Sequence, residues 1–501
     1  MASSVAMLSR ISPAPLKSHA QSARVRSSIR AHARPTIRTS ASMRAVPATR
    51  MPSLRSGAGL IPLPLKRIAA FSPRISPGRI SIKTCAADAD ADAEAAKPAV
   101  PAKAMQKPRL PGLDSVRFFL IAYIATGHFI ACATKNPTIL RFATQINVVV
   151  GAFFVLSGYV AGYVATELGK REASSRTENK SQYIVGRIMG YYPLFFIVQV
   201  LFAPMFAFVD NMYSGPMVAA WHGFLSTTLL QAWFPMHAEI WNAPTWFLSA
   251  LTFAMIVMAY AIGPMAKMGK ASLKKCIAVL TGTSLVAKLA YSYDLNVWSI
   301  MEGVARSHPS MPFWNITRFS PFFAVIEVLI GVAACRLVML DGVEGDTENE
   351  KKPASPVVPV VGMLALLVAR GMGYIPLNDP LIRVLIFLPL FTLFLMRTHR
   401  ETVYAPGTGL SAILAWKPLV YLGTISFPIY VLHGPIGQLF YKKAIAMKVF
   451  GKVMTAYPKF FFAYVAIVMA AAVFTHEVIL KNSKVQELSK NATKALNDLV
   501  A

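Results

Sequence analysis

About ten long apolar stretches constrain the fold of this chain more than any other feature of its sequence. A helix that crosses a bilayer needs roughly 17 to 25 mostly apolar residues. Only 15% of the residues are charged, whereas a soluble protein usually carries about 25%. The sequence therefore predicts an all-α, polytopic transmembrane helical bundle of about ten spans. The predicted spans are residues 113–134, 142–166, 183–209, 244–266, 272–293, 318–340, 356–371, 380–397, 411–436 and 458–480.

Basic residues give this predicted bundle an orientation. They precede the first span and follow the second, fourth and eighth, so that side is expected to be cytoplasmic or stromal. Four lysines between the last two spans lie on the opposite side, which leaves two explanations open: a miscounted span near the C-terminus, or an interfacial helix. These lysines are Lys442, Lys443, Lys448 and Lys452. The bundle is assigned to residues 112–480, and residues 481–501 are predicted to be a soluble tail.

The N-terminal part has a different composition. Residues 1–87 contain fifteen Lys and Arg and no Asp or Glu, and they have no long apolar run. This pattern predicts an organelle transit peptide, and its length and prolines favour a plastid, so the expected location is a chloroplast membrane. A basic arm for nucleic acid would also explain the charge, but no nucleic-acid-binding fold accompanies it. Residues 88–111 are acidic and then rich in Pro and Ala, which predicts a disordered linker.

The four cysteines show neither the spacing of a metal site nor that of a disulfide framework. The sequence therefore predicts no metal site and no tightly bound cofactor.

The first apolar segment carries three ionisable residues, Asp114, Arg117 and His128. Such groups are costly inside a membrane and therefore indicate a functional site. At about 100° per residue, Arg117 and His128 lie about 20° apart around the helix and roughly 16 Å apart along its axis. Asp114 lies one turn before Arg117, close enough to pair with it.

This segment resembles the membrane-bound acyltransferase family 3, the multi-spanning O-acyltransferases. The family begins with Leu-Asp-x-x-Arg, places a histidine after ten intervening residues, and continues with Phe-Phe-x-x-Ser-Gly-Phe on the next helix. Leu113, Asp114, Arg117 and His128 match the first part. The second part is matched by Phe153, Phe154, Ser157 and Gly158, with Tyr159 for the last aromatic.

Later landmarks follow in the same order. Arg187 stands where the family has paired arginines before a Tyr-Pro, and it is otherwise a membrane anchor. The Pro244-Thr245-Trp246-Phe247-Leu248-Ser249 stretch resembles the family's helix start, but Leu251 replaces the glutamate expected two residues after the serine. Glu327, inside an apolar run, is a candidate replacement for that carboxylate. His433 matches the family's closing His-x-Pro and is otherwise a histidine packed at a helix end.

The resemblance implies a membrane O-acyltransferase that moves an acyl group from acyl-CoA, its co-substrate, to a hydroxyl of a carbohydrate, lipid or other small acceptor. It implies catalytic roles for His128, Asp114 and Glu327, and donor-binding roles for Arg117, Arg187, Ser157 and His433. Histidine suits the general base, and arginine suits the donor phosphates. A polytopic transporter and a catalytically inactive acyltransferase-like protein remain as alternatives. The expected partners are the bilayer, the donor and the acceptor, without nucleic acid.

Overall fold

The computed structural model describes residues 107–294, 296, 298, 311–341, 353–453 and 458–500. Over these residues the chain is helical apart from turns and one isolated bridge between Thr166 and Ala173, which confirms the predicted all-α class. The predicted leader, residues 1–87, and most of the linker lie outside the described residues. The α-helices of the described part are α1 (Gly112–Ala133), α2 (Pro137–Ala143), α3 (Ile146–Val149), α4 (Gly151–Ala165), α5 (Lys180–Met189), α6 (Tyr192–Ser214), α7 (Pro216–Thr227), α8 (Trp246–Lys267), α9 (Lys270–Asp294), α10 (Met311–Phe319), α11 (Pro321–Met339), α12 (Val357–Gly371), α13 (Asp379–Ile382), α14 (Leu388–Tyr404), α15 (Gly409–Leu414), α16 (Lys417–Thr424), α17 (Ser426–Tyr441), α18 (Lys443–Phe450), α19 (Lys459–Phe474) and α20 (Ser483–Val500).

Eight helical segments of the described residues are long and apolar enough to cross a membrane. The helices α16 and α17, which meet at an angle of 52°, together form either a broken ninth span or a re-entrant loop. The eight are 112–133, 137–165, 192–214, 243–267, 270–294, 312–339, 379–404 and 459–480. All of them match predicted spans. The predicted span 356–371 is the 15-residue helix α12, which is short for a crossing at about 1.5 Å per residue.

The contacts of α12 place its two ends on opposite sides of the bundle. Just before its start, the backbone carbonyl of Ser355 accepts a hydrogen bond from Arg397 at 3.0 Å, near the end of α14. Near its other end, Arg370 donates to Gln145 at 3.0 Å and pairs with Asp379 at the start of α13. Since α14 ends on the basic side and α13 begins on the other, α12 connects the two sides.

Small residues let the central helices approach closely. A Cβ on Gly158 of α4 would collide with the carbonyl of Val328 on α11, and one on Gly331 of α11 would collide with the carbonyl of Val155. In membranes, where apolar burial gives little driving force between helices, such close packing is the main source of helix association. Most of α11 is buried, and it forms the centre of the bundle.

Ion pairs and the lysine-rich loop agree with the predicted orientation. On the basic side, Asp341 accepts from Arg400 at 2.7 Å and lies 3.2 Å from Lys270, so the ends of three spans meet there. Of the four lysines on the opposite side, Lys443 and Lys448 belong to the short helix α18, and Lys442 and Lys452 flank it. Lys448 lies 3.9 Å from the ring centre of Phe208, at the far end of α6, a favourable position for a cation over an aromatic face.

Candidate active site

A cavity of about 500 Å³ lies among the helices that carry the family motifs. Its lining begins at the basic-side end of α1, follows one face of that helix, and reaches the turn before α8 on the opposite side. The lining residues are Asp114, Arg117, Ile121, Ile124 and His128; Ile146, Asn147, Val150, Phe153 and Ser157; Gly190 and Tyr191; Glu239, Pro244, Trp246, Phe247, Leu248 and Leu251; and Gly423, Thr424, Ser426, Phe427 and Tyr430. The cavity therefore brings together four residues named from the sequence: Asp114, Arg117, His128 and Ser157.

Asp114 and Arg117 form an ion pair at the basic-side end of the cavity. The Arg117 Nη1 donates to Asp114 Oδ1 at 2.5 Å, as the i,i+3 spacing predicts. Gly423 of α16 packs directly on the backbone of Asp114, where a Cβ would collide with the Asp114 carbonyl. The side chain of Arg117 is 34% exposed. Its guanidinium is thus oriented by a carboxylate and is still accessible to an anionic ligand from the basic side.

His128 lies deeper and contacts a second histidine. Its Nδ1 is 3.2 Å from Nε2 of His433 on α17. The Nδ1 of His433 is 2.7 Å from the backbone carbonyl of Tyr430, and because a carbonyl oxygen can only accept, this nitrogen carries a proton. Neutral His433 then accepts at Nε2, so Nδ1 of His128 is the donor in the histidine pair. This assignment follows from the hydrogen-bond network, and it leaves the Nε2 lone pair of His128 unused by the pair.

Local packing holds His433 in this position. Gly434 follows it, and a Cβ there would collide with Oδ1 of Asn242. Asn242 in turn donates to the backbone carbonyl of Val431 at 3.0 Å. Tyr464 of α19 donates to the carbonyls of Ala125 and His433 at 3.3 and 3.4 Å. The hydrogen bonds of Tyr464 therefore join α1 and α17 next to the histidine pair.

Three of the residues named from the sequence lie outside the cavity lining. His433 is linked to the lining through His128 and through the backbone carbonyl of Tyr430. Arg187 on α5 lies 5.1 Å above the ring of Tyr183. Glu327 on α11 pairs with Arg383 and lies 3.7 Å from Lys288, and all three side chains are buried. The buried ion pairs give Glu327 a structural environment, and its catalytic role stays a prediction.

The cavity contains a carboxylate that the sequence did not point to. Glu239 lies in the turn before α8 and lines the cavity, with Arg318 of α10 at 3.9 Å. Leu251, which replaces the family glutamate, lines the same cavity. The sequence feature that could have pointed to Glu239 is a carboxylate in a polar turn between apolar segments, three residues before Asn242. Within the described residues, no group of three or more His, Cys, Asp or Glu could hold a metal ion.

Comparison with known proteins identifies the family. The family model described as an acyltransferase domain matches residues 110–477, a range that includes every lining residue of the cavity. Acyltransferase MdmB of Streptomyces mycarofaciens is 24% identical over 337 residues, which cover 65% of this chain and 78% of that protein. No solved structure matches the chain. The chain therefore belongs to the acyltransferase domain family and is a transferase whose apolar helices embed it in a membrane.

Proposed function

We propose that the chain transfers an acyl group from acyl-CoA to a hydroxyl of a small-molecule, glycan or lipid acceptor, with His128 as the general base. The observation that carries this proposal is the position of Arg117 and His128 on one face of α1 inside a single cavity. The Arg117 guanidinium suits the anionic part of a donor, and the His128 imidazole suits proton transfer at the thioester of that donor.

The donor end is the basic side. Arginine binds phosphate through a planar pair of donors, and Arg117 is oriented by Asp114 while remaining accessible. About 16 Å along the helix separates Arg117 from His128. An extended acyl-CoA whose phosphates lie at Arg117 therefore brings its thioester toward His128. Arg187, the other predicted donor-binding residue, lies on the same side of the membrane and contributes positive charge there.

The reaction that this arrangement supports is a direct acyl transfer. The Nε2 of His128 accepts the proton of the acceptor hydroxyl while the oxygen attacks the thioester carbonyl. The tetrahedral adduct collapses to the new ester, and the departing thiolate takes the proton back from His128. His433 holds His128 in the tautomer that has its lone pair on Nε2, and Ser157 supplies a hydroxyl donor in the lining. Neither a metal nor a bound cofactor takes part in this scheme.

The acceptor is proposed to bind toward the end of the cavity near α8. Trp246, Phe247 and Tyr430 line this region, and aromatic faces suit apolar chains and sugar rings. Glu239 offers a carboxylate that accepts hydrogen bonds from acceptor hydroxyls. Glu239 supplies in this cavity a negative charge of the kind that is lost where Leu251 replaces the family glutamate. The cavity therefore still has a carboxylate, which argues against a catalytically inactive acyltransferase-like protein.

Transfer of a radiolabelled acyl group from acyl-CoA tests the proposal. Membranes that contain the protein are expected to release CoA thiol and label an endogenous lipid or glycan, while membranes without it are not. The matched control is the Arg397→Lys protein, because Arg397 lies on the same side but outside the cavity lining. Acyl-CoA that is carried across sealed vesicles without cleavage would instead support a transporter.

We further propose that residues 1–87 direct the protein to a plastid membrane, because they are basic, free of acidic residues and rich in Ser, Ala and Pro. A fusion of the first ninety or so residues to a fluorescent protein is expected to enter plastids. In the matched control, Arg24, Arg26 and Arg30 are replaced by Glu, which removes the acid-free character. Cytosolic or secretory fluorescence of the unmodified fusion would contradict the proposed location.

A further inference from the structure

The C-terminal helix α20, Ser483–Val500, has an apolar stripe that the described part of the chain does not cover. Leu488, Ala495 and Leu499 lie within about 40° of one another around the helix at about 100° per residue. All three are exposed, with Leu488 at 71% and Leu499 at 81%. An exposed apolar stripe on an otherwise polar 18-residue helix is expected to have an apolar environment.

The position of α20 is set by the last membrane crossing. That crossing ends at Leu480, and two residues separate it from the start of the helix at Ser483. Its end is tied to the rest of the bundle, because Glu477 accepts from Tyr421 of α16 at 3.0 Å. The helix therefore starts at the level of the membrane surface, on the basic side where α16 also begins.

One edge of α20 faces the protein and another edge is left open. The helix packs against α5, and its partly covered positions are Val485, Ser489, Ala492, Thr493 and Asn497. The stripe of Leu488, Ala495 and Leu499 lies beside this covered edge. Lys490 and Lys494 lie on the polar face, about 160° and 120° around the helix from Leu488, and Lys484 borders the stripe, about 40° from Leu488. A helix that lies flat in a bilayer surface has such an apolar face and such a polar face. The apolar face lies in the boundary between headgroups and acyl chains, and the polar face carries lysines.

We propose that α20 is an interfacial membrane helix whose Leu488–Leu499 stripe inserts into the bilayer surface on the basic side. The stripe therefore contacts lipid. Its lysines favour a surface that contains anionic headgroups. Because α5 leads directly to Gly190 and Tyr191 of the cavity lining, the lipid-bound α20 also braces one wall of the cavity mouth against the membrane. This inference does not depend on the chemistry proposed for the cavity.

Site-directed spin labelling of the full chain tests this inference. Single cysteines replace Leu488 and Leu499 in the stripe and, as matched controls, Glu487 and Lys494 on the polar face. The variants are reconstituted in nanodiscs of phosphatidylcholine and phosphatidylglycerol, and the signal of the labelled unsubstituted protein is subtracted. Accessibility to oxygen, which concentrates in lipid, is compared with accessibility to a water-soluble nickel complex. All four positions are exposed in the structure, so each variant is expected to keep the size-exclusion profile of the parent.

The expected result is a helical alternation, with Leu488→Cys and Leu499→Cys favouring oxygen and Glu487→Cys and Lys494→Cys favouring nickel. Equal access of nickel to all four positions would show a helix in water and would overturn the proposal. Protection of the stripe from both reagents would show a protein surface there, either a second copy or the N-terminal segment, and would overturn it as well. Repetition in nanodiscs without phosphatidylglycerol is expected to preserve the alternation and reduce its amplitude.

Discussion

His128 and His433 lie 305 positions apart in the chain, yet their ring nitrogens Nδ1 and Nε2 are 3.2 Å apart. His433 donates to a backbone carbonyl with its other nitrogen. His128 is therefore the donor and His433 the acceptor in this pair, and the hydrogen bond fixes the tautomer of His128. No charged group is needed to do this, which suits a site among apolar helices because a charge there is costly.

Replacing His433 tests this positioning role. His433→Leu removes the acceptor and should lower kcat about fivefold, the effect of one lost hydrogen bond of roughly 1 kcal/mol, with an unchanged KM for acyl-CoA. His433→Gln restores an acceptor near the Nε2 position and should recover much of that loss. In the His128→Ala background, His433→Leu should have no further effect, since coupled residues are not additive. An equal further loss in that background would assign His433 a separate role.

Arg117 is expected to act mainly on the donor. Arg117→Lys keeps the charge and loses the planar pair of donors, so KM for acyl-CoA should rise about tenfold or more, since hydrogen bonds to charged groups contribute roughly 1.5–3 kcal/mol. Steady-state kinetics of Arg187→Lys in the same assay show whether the second arginine shares this role. An unchanged KM in Arg117→Lys would place the donor phosphates elsewhere.

Glu327 is expected to stabilise the fold rather than catalyse. Glu327→Gln leaves Arg383 and Lys288 without their carboxylate, and removing one partner of a buried pair costs about 3–5 kcal/mol. The variant should unfold at a lower temperature, while the activity of each folded molecule stays near that of the wild type. The matched control is Glu477→Gln, whose partner Lys481 is 54% exposed, because pairs at the surface contribute little. Normal thermal stability with lost activity would restore the catalytic role predicted from the sequence.

A chain of polar contacts at the end of the bundle opposite the basic side predicts a dependence of stability on pH. His222 contacts Asp210 at 2.6 Å and His237 at 2.8 Å. Burial, and next the neighbouring His222, lower the pKa of His237 below its usual value, against the opposing effect of Asp210. Because the unfolded chain then takes up the proton first, acid destabilises the fold as the pH falls through about 6.5, the ordinary histidine pKa.

The melting temperature of the purified protein should therefore fall between about pH 7.5 and pH 5.5, and the fall should be smaller in His237→Gln, which has no group to protonate there. Thermal unfolding of both proteins at the two pH values measures the difference. An identical fall in the variant would exclude His237 as its source.

Periodicity within one helix was sufficient to place Asp114, Arg117 and His128 on a common face, because a rigid helix fixes those angles. It was not sufficient to show that His433 meets His128, since spacing along α17 contains no information about which helix packs beside it. The bend between α16 and α17 was also missed, and residues 411–436 were predicted as one span. Glu239 lies in a turn, where no periodicity marks a residue as facing a cavity.

Acyl transfer by the His128→Ala protein tests whether His128 is the general base. Membranes that carry equal amounts of wild-type and variant protein are supplied with radiolabelled acyl-CoA, and the labelled product is measured. His128 is expected to contribute a factor of about 100 or more, as general bases do, so transfer by the variant should fall by that factor while donor binding stays nearly intact. Transfer by His128→Ala at the wild-type rate would contradict the account and remove His128 from the mechanism.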